Sequence, residues 1–262
     1  IIVRGSMATR KKPKKADYIL YISANNPIAI VEAKDNNHTV SYGLQQAITY
    51  AQMLDVPFAY SSNGDAFFER DLLTGHERQL TLAEFPSPEE LFARYQEAKG
   101  MSEPEKQIMM QPYYTSQTTY EPRYYQRNAV NRALDAIAKG EKRLLLAMAT
   151  GTGKTYTAFQ IVYRLLKSGM VKKVLYLADR NFLVDQTIQR DFAPLERTTH
   201  KINFAKDDPT TITSHEVYFA LYQQLIGNDM GDEDETDDDS VLRFSELFQR
   251  DFFDLIIVDE CH

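Results

Sequence analysis

Cysteine is nearly absent from this chain of 262 residues, which contains only Cys261. A lone cysteine excludes an internal disulfide and is typical of a reducing compartment, so we expect a cytoplasmic protein. It also excludes a cysteine-rich zinc site, although His262 follows Cys261 directly. No apolar run reaches the length of a membrane helix, so no membrane partner is expected. The N-terminus lacks the apolar core and the cleavage site of a signal peptide.

A positive net charge is also missing, but the charge is unevenly placed. The formal net charge is −7, and residues 229–239 alone contain eight acidic residues and no basic one. The first fifteen residues, in contrast, contain six basic residues and no acidic one. Nucleic-acid binding depends on local charge, so the overall acidity does not exclude it. The acidic run is typical of a self-repelling loop, and we assign it no chemistry.

A strand–loop–helix pattern spans residues 144–155. The apolar run 144–147 predicts a buried parallel strand, and a helix should begin at Lys154. The residues between and just after them match a phosphate-binding loop: Gly151, Thr152, Gly153, Lys154 and Thr155. Backbone N–H groups there favour an anion, Lys154 can reach the β- and γ-phosphates of ATP, and Thr155 can bind Mg²⁺. Met148 stands where the first glycine is usual, and the alternative is a glycine turn before an ordinary helix.

An acidic pair, Asp259 and Glu260, follows the apolar run 253–258. Such a pair at the carboxyl end of a buried parallel strand is the position of a Walker B motif. Asp259 would hold Mg²⁺, and Glu260 would orient or activate the attacking water. Runs 173–178 and 210–214 are expected as further strands, and residues 217–225 as a helix.

Two β-rich runs near the N-terminus, residues 16–23 and 28–34, predict an antiparallel hairpin. Asp17 opens the first strand, and Glu32 and Lys34 share one face at the end of the second. Two convergent carboxylates suit Mg²⁺, which would activate a water at a phosphodiester. Lys34 would position that water or stabilise the developing charge. The alternative is an edge hairpin with solvated charges.

These three residues resemble the D…E-x-K core of restriction-type nucleases, with Ala16 at the position of the usual proline. Gln46 and Tyr50 lie one turn apart on a predicted helix. They are similar to a Q-x-x-x-Y element that accompanies this core in some families. Core packing is the alternative role of Tyr50. A second hairpin is expected between residues 58–62 and 66–70.

The second half of the chain resembles superfamily 2 helicase-like motors. The resemblance is carried by R-x-Y-Q at residues 123–126, by the phosphate loop, by L-A-D-R at 177–180 and by D-E-C-H at 259–262. It implies that Gln126 reads adenine and that Arg180 contacts a DNA phosphate. An exposed glutamine and a solvated arginine are the alternatives. A nuclease placed before such a motor is similar to the restriction (R) subunit of type I restriction–modification enzymes.

The resemblance implies ATP and Mg²⁺ as cofactors, with ATP-driven translocation of double-stranded DNA coupled to its cleavage. It also implies methyltransferase (M) and specificity (S) subunits as partners. The expected fold is α/β: a partial restriction-endonuclease-like domain over residues 1–85, a proline-punctuated linker over 86–118, and the first RecA-like lobe of a P-loop NTPase over 119–262.

Both ends of the chain are expected to be cut, so that the first nuclease helix, motif III and the second motor lobe are missing. The isolated chain should therefore hydrolyse ATP weakly. Two other functions stay open. One is a helicase-like repair ATPase whose N-terminal domain only binds DNA, and the other is a clamp that binds ATP without hydrolysis.

Overall fold

The computed structural model describes residues 2–4, 7–9, 15–23, 26–116, 121–179, 181–203, 206–209, 211–221 and 244–260. The acidic run and the candidate DNA contact Arg180 lie outside them. Contacts divide the chain into two compact units. The first contains Ile1–Lys106 and Tyr120–Asn128, and the second contains Gln107–Thr119 and Ala129–His262. Within the described residues, no helix is long and apolar enough to cross a membrane.

The first unit is built on a five-stranded mixed sheet with the strand order β3-β4-β5-β6-β7. Its strands are β3 (Tyr18–Ser23), β4 (Asn26–Ala33), β5 (Phe58–Ser62), β6 (Ala66–Asp71) and β7 (Glu77–Thr81). A small separate hairpin contains β1 (Ile2–Arg4) and β2 (Met7–Thr9). The pairs β3–β4 and β5–β6 are antiparallel, which confirms both predicted hairpins. Strands β4 and β5 are parallel.

Helix α1 (Leu44–Leu54) connects these two parallel strands. Its small residues Ala47 and Ala51 are fully buried against Ile30 of β4, so the helix approaches the sheet closely. It ends at Asp55, whose left-handed backbone lets its N–H bond the carbonyls of the last turn. The N-terminus of α1 consequently lies beside the carboxyl end of β4.

Helix α2 (Pro88–Lys99) packs on the other face of this sheet. It begins at a capping box in which Ser87 and Glu90 bond each other's backbone N–H groups. Leu91 is buried with Phe58 and other core residues of the sheet. A further helix, α3 (Glu103–Met110), follows. Residues 86–118, expected as a linker with a plausible helix over 89–99, therefore include two helices. Pro88 and Pro104 stand in the first turns of these helices, where a missing backbone N–H costs no hydrogen bond.

A buried carboxylate fastens α2 to the sheet. The Glu69 side chain on β6 is fully buried, and Arg94 of α2 donates two hydrogen bonds to it, of 3.0 and 2.9 Å. Arg78 donates another of 2.8 Å, and Tyr60 donates one of 2.5 Å. Burial alone would raise the pKa of Glu69, but these hydrogen bonds outweigh burial and lower the pKa to about 2.

The second unit contains a four-stranded sheet in which all neighbouring strands are parallel, with the order β11-β8-β10-β9. The strands are β8 (Val174–Ala178), β9 (Thr199–Lys201), β10 (Val217–Leu221) and β11 (Leu255–Val258). The helices from residue 124 onwards are α4 (Tyr124–Ala138), α5 (Lys154–Ser168) and α6 (Asn181–Gln189). The expected α/β class with a parallel sheet is confirmed.

Three predicted elements of this unit differ from the structure. Residues 217–221 form a strand rather than a helix, because a short aromatic and aliphatic run can be buried on both faces of a parallel sheet. The predicted strand at 210–214 is instead a short 3₁₀ turn, Ile212–Ser214. Hydroxyl groups there bond local carbonyls, since Ser214 donates to the Thr211 carbonyl at 3.1 Å.

The third difference concerns residues 144–147, which form no strand within the described part of the chain. Leu145 is 84% exposed. A strand requires neighbours that pair with its backbone groups. Among the described strands, β11 at the edge of the sheet pairs with β8 alone, and residues 144–147 do not pair with its other side. Residues 144–148 instead line an open pocket together with Ala129 and Ala133 of α4.

Glu69→Gln should lower the free energy of unfolding by roughly 3 kcal/mol at neutral pH, because two partly buried guanidinium groups lose their compensating charge. The pKa of Glu69 is lower in the folded state than its ordinary value of 4.5. The contribution is therefore complete above that value and is lost as the pH falls towards about 2. Urea unfolding at several pH values measures this difference.

The matched control is Glu77→Gln, which removes an exposed ion pair with Arg70 on the neighbouring strands. It should change the free energy by less than about 1 kcal/mol. Equal losses in the two variants would contradict the role given to Glu69.

Candidate functional site

The ends of β3 and β4 bring the predicted nuclease residues together in the first unit. The Ala33 N–H donates to the Asp17 carboxylate at 2.9 Å, and the Asp17 N–H lies 3.4 Å from Glu32 Oε1. The Lys34 ammonium is 3.3 Å from the Glu32 carboxylate and 4.0 Å from that of Asp17. Two carboxylates and one ammonium therefore converge at one edge of the sheet.

Helix α1 adds the two further predicted residues to this cluster. Lys34 donates to the Gln46 side-chain oxygen at 3.5 Å. Gln46 in turn donates to the Tyr50 hydroxyl at 3.4 Å. The one-turn spacing that the sequence predicts thus forms a continuous polar row from β4 along the helix.

The surroundings of Glu32 disfavour its ionised form. Its side chain is fully buried, whereas the Asp17 side chain is 44% exposed. Burial, followed by repulsion from the Asp17 carboxylate, raises the pKa of Glu32, and the hydrogen bond from Lys34 only partly opposes this. A divalent cation would relieve both effects, so this oxygen-donor pair fits Mg²⁺.

Gly43 permits this arrangement, although the sequence does not identify it as a functional residue. Its N–H donates to the buried Ser61 hydroxyl at 3.0 Å. A Cβ at this position would lie 2.9 Å from Ser61 Oγ, 3.1 Å from Glu32 Cβ and 3.2 Å from Lys34 Cε. Its φ of −84° is accessible to any residue, so only the tertiary contacts require glycine. No local sequence signal could have identified this requirement.

The phosphate-loop residues begin α5 in the second unit as predicted. Gly151 and Gly153 adopt positive φ angles of 74° and 86°, which glycine tolerates best. Thr152 donates to the Ala149 carbonyl at 2.5 Å and closes the turn. Lys154 and Thr155 are the first two residues of the helix, so their N–H groups belong to its electropositive end.

The acidic pair after β11 meets this loop. Lys154 Nζ lies 2.6 Å from the Glu260 carboxylate. The hydrogen bond that Lys154 donates to Glu260 raises the pKa of the lysine. The Asp259 N–H donates to the Leu177 carbonyl at 2.9 Å, which continues the β11–β8 ladder. Glu260 has a φ of +55°, an uncommon conformation for a non-glycine residue that turns it away from the strand direction. The predicted Walker A and Walker B residues are therefore neighbours.

Two further predicted contacts involve Gln126 and Arg180. Gln126 is buried, and its side-chain oxygen accepts a 2.8 Å hydrogen bond from the Arg123 N–H at the start of α4. It belongs to the first unit, and adenine reading stays a prediction. Arg180 lies outside the described residues, so its DNA contact also stays a prediction.

The described residues contain no group of three or more His, Cys, Asp or Glu side chains that could hold a metal ion. Each candidate Mg²⁺ site therefore consists of two side chains, Asp17 with Glu32 or Thr155 with Asp259. Mg²⁺ commonly keeps several waters and binds one or two protein oxygens together with substrate phosphate, so both sites have a suitable donor set.

Both halves of the chain are similar to known restriction-enzyme subunits. The family described as "Type III restriction enzyme, res subunit" matches residues 119–262. The second domain of the type I restriction enzyme EcoKI endonuclease subunit matches residues 5–55. The chain is 44% identical over 266 residues to the type I restriction enzyme EcoAI endonuclease subunit of Escherichia coli, covering 100% of this chain and 31% of that protein.

The chain belongs to the type I restriction enzyme endonuclease subunit family. It is also 32% identical over 221 residues to the EcoKI endonuclease subunit of Escherichia coli strain K12, covering 66% of this chain and 18% of that subunit. A solved fragment described as an HsdR subunit of a type I restriction enzyme from Vibrio vulnificus YJ016 superposes with a TM-score of 0.74. That fragment is 38% identical, over 99% of this chain and 44% of its own.

The chain spans about a third of the EcoAI endonuclease subunit. The restriction-subunit match over 119–262 includes the phosphate loop and the acidic pair, and the type I match over 5–55 includes all five residues of the nuclease-like cluster. Neither match assigns a role to an individual side chain, so the roles below are proposals.

Glu32→Gln should leave the melting temperature in EDTA unchanged or higher at neutral pH, because the fold disfavours the ionised form of this carboxyl. Its pKa is raised above the ordinary 4.5, so the penalty is absent below that value and grows as the pH rises through the folded pKa. Thermal unfolding with and without EDTA measures the effect. Glu69→Gln is the matched control, with the opposite sign. A comparable loss of stability in both variants would show that the fold does not disfavour the ionised form of Glu32.

Proposed function

We propose that this chain is the nuclease and motor part of a type I restriction subunit. In this proposal, ATP-dependent translocation of double-stranded DNA is coupled to Mg²⁺-dependent cleavage of that DNA. The observation that carries the proposal is the cluster of Asp17, Glu32 and Lys34. A fully buried carboxylate beside a second carboxylate destabilises the fold unless a cation binds to the pair.

The nuclease half uses the edge formed by β3, β4 and α1. Asp17 and Glu32 would hold Mg²⁺, which supplies Lewis-acid stabilisation of a phosphodiester and an activated water. Lys34 is close enough to both carboxylates to orient that water or to stabilise charge on the phosphate. Gln46 and Tyr50 fix the direction of the Lys34 side chain through their hydrogen-bonded row.

The motor half uses the loop before α5 and the end of β11. Lys154 would bind the terminal phosphates of ATP, and the backbone N–H groups of residues 151–155 would donate to them. Thr155 and Asp259 would hold the Mg²⁺ that accompanies the nucleotide. Glu260 is placed 2.6 Å from Lys154, so it lies within reach of a water that attacks the terminal phosphate.

DNA contacts are proposed to involve mainly phosphates, with Arg180 among them, and binding should weaken strongly with salt. Sequence recognition and methylation would belong to the M and S subunits. A repair ATPase with a non-catalytic N-terminal domain is the second candidate. The buried position of Glu32 favours the nuclease. A surface that only binds DNA phosphates requires no buried carboxylate beside a second one.

Lys34→Ala and Lys154→Ala separate the two activities in the full-length protein with its partner subunits. Lys34→Ala should reduce DNA cleavage by at least about 100-fold, because it removes the ammonium that would orient the water or stabilise charge on the phosphate. ATP hydrolysis should remain within about twofold of the parent, because Lys34 does not belong to the nucleotide site. Lys154→Ala should abolish both activities, since cleavage depends on translocation. Plasmid cleavage and phosphate release measure the two outcomes.

The control is Lys106→Ala, which removes a surface ammonium paired with Glu103 and should leave both activities intact. Unchanged cleavage after Lys34→Ala would contradict the nuclease site and support the repair ATPase. Normal ATP hydrolysis after Lys154→Ala would contradict the motor site.

A further inference from the structure

Tyr176 occupies the centre of β8, the strand that lies between β11 and β10. It is 1% exposed, and its ring packs against Phe192 and Phe219 with centroid distances of 5.5 and 5.0 Å. An aliphatic or phenylalanine side chain would fill this apolar position without a polar atom. A buried hydroxyl must be hydrogen-bonded, and the identity of its partners is therefore informative.

The neighbours of the Tyr176 hydroxyl are the two residues proposed to hold the nucleotide's Mg²⁺. It donates to Asp259 Oδ2 at 2.8 Å. The Thr155 side chain, in the first turn of α5, lies beside the same hydroxyl. The register of the sheet explains the first contact, because Ile257 of β11 pairs with Tyr176 and Asp259 follows two residues later on the same face. One buried phenol thus connects the phosphate-loop helix with the end of β11.

The phenol is well suited to this role because its hydroxyl donates a single hydrogen bond to the Asp259 carboxylate. Its hydrogen bond uses Oδ2, while the Glu260 N–H bonds Oδ1 at 3.0 Å. Each carboxylate oxygen keeps a further lone pair for a cation or its bound water.

We propose that Tyr176 is a positioning residue of the nucleotide site, which holds Asp259 and Thr155 in the arrangement that a magnesium–nucleotide complex requires. The inference rests on the proposed ATPase function. The hydroxyl touches neither substrate nor cofactor and acts through these two side chains. Groups that orient metal-binding side chains in this way commonly affect metal affinity tenfold or more when they are removed.

Tyr218 on β10 provides a matched control. It is also a fully buried tyrosine, and it packs on the other face of the same sheet. Its hydroxyl donates to the carbonyls of Ile212 and His215 at 2.7 and 3.0 Å, away from the phosphate loop. Tyr218→Phe therefore removes the same group and a comparable number of hydrogen bonds without touching Asp259 or Thr155.

The experiment compares Tyr176→Phe and Tyr218→Phe in the full-length protein. Binding of a fluorescent, non-hydrolysable ATP analogue is titrated with Mg²⁺ and repeated in EDTA. Tyr176→Phe should raise the Mg²⁺ concentration for half-maximal binding roughly tenfold, with the affinity in EDTA within about twofold of the parent. Tyr218→Phe should leave the Mg²⁺ requirement unchanged. 4-Aminophenylalanine at position 176, which restores a donor, should recover most of the parent's Mg²⁺ requirement.

Three results would overturn the inference. One is an unchanged Mg²⁺ requirement in Tyr176→Phe, another is an equal change in both phenylalanine variants, and the third is an equal loss of affinity with Mg²⁺ and in EDTA. Thermal unfolding verifies that each variant folds. If Tyr176→Phe does not fold, 4-fluorophenylalanine fills the same space without donating and is judged by the same results. A parent protein that binds no nucleotide would instead overturn the proposed function.

Discussion

The burial of carboxylate groups is the physical constraint on which the first unit depends. Glu32 and Glu69 are both fully buried in the same sheet, but their surroundings differ. Two guanidinium groups and a phenol compensate Glu69, and its pKa falls. Glu32 faces a second carboxylate and a single ammonium, and its pKa rises. A structural carboxylate is compensated by the fold itself, whereas a site carboxylate is left for a ligand to compensate.

Charge compensation is also the constraint at the candidate nucleotide site of the second unit. The acidic pair follows the carboxyl end of the parallel strand β11, and the loop before α5 lies beside it. Lys154 and Glu260 compensate each other's charge at 2.6 Å, and Tyr176 fixes Asp259 from below the surface. The arrangement of charged side chains at the surface therefore depends on a neutral hydroxyl in the core.

The sequence predicts which side chains lie together better than it predicts the elements around them. The spacing of Glu32 and Lys34 within one strand, and of Gln46 and Tyr50 within one helix, is local, so periodicity alone places each pair on one face. The left-handed glycines of the phosphate loop are equally local. Such requirements can be read from neighbouring residues without knowledge of the tertiary structure.

Properties that arise between distant segments could not be predicted in this way. The run 144–147 has the composition of a strand, but strand formation depends on a neighbour that the composition does not reveal. Residues 217–221 were predicted as a helix, because a short apolar run fits either structure. Gly43 and Tyr176 acquire their roles from contacts with residues far away in the sequence, such as Ser61 and Asp259.

We expect one chain to contain two magnesium sites, one for DNA cleavage and one for ATP. Iron(II) can replace Mg²⁺ at such sites. Added hydrogen peroxide then oxidises it to iron(III) and is itself split into hydroxide and a hydroxyl radical, which cuts the nearby backbone. Two such sites should give two groups of cuts in the full-length protein, one near residues 17 and 32 and the other near residues 155 and 259. Nucleotide should strengthen only the second group, and Glu32→Gln should remove only the first. If cuts near residues 17 and 32 are absent, or persist in Glu32→Gln, then Asp17 and Glu32 do not form a magnesium site.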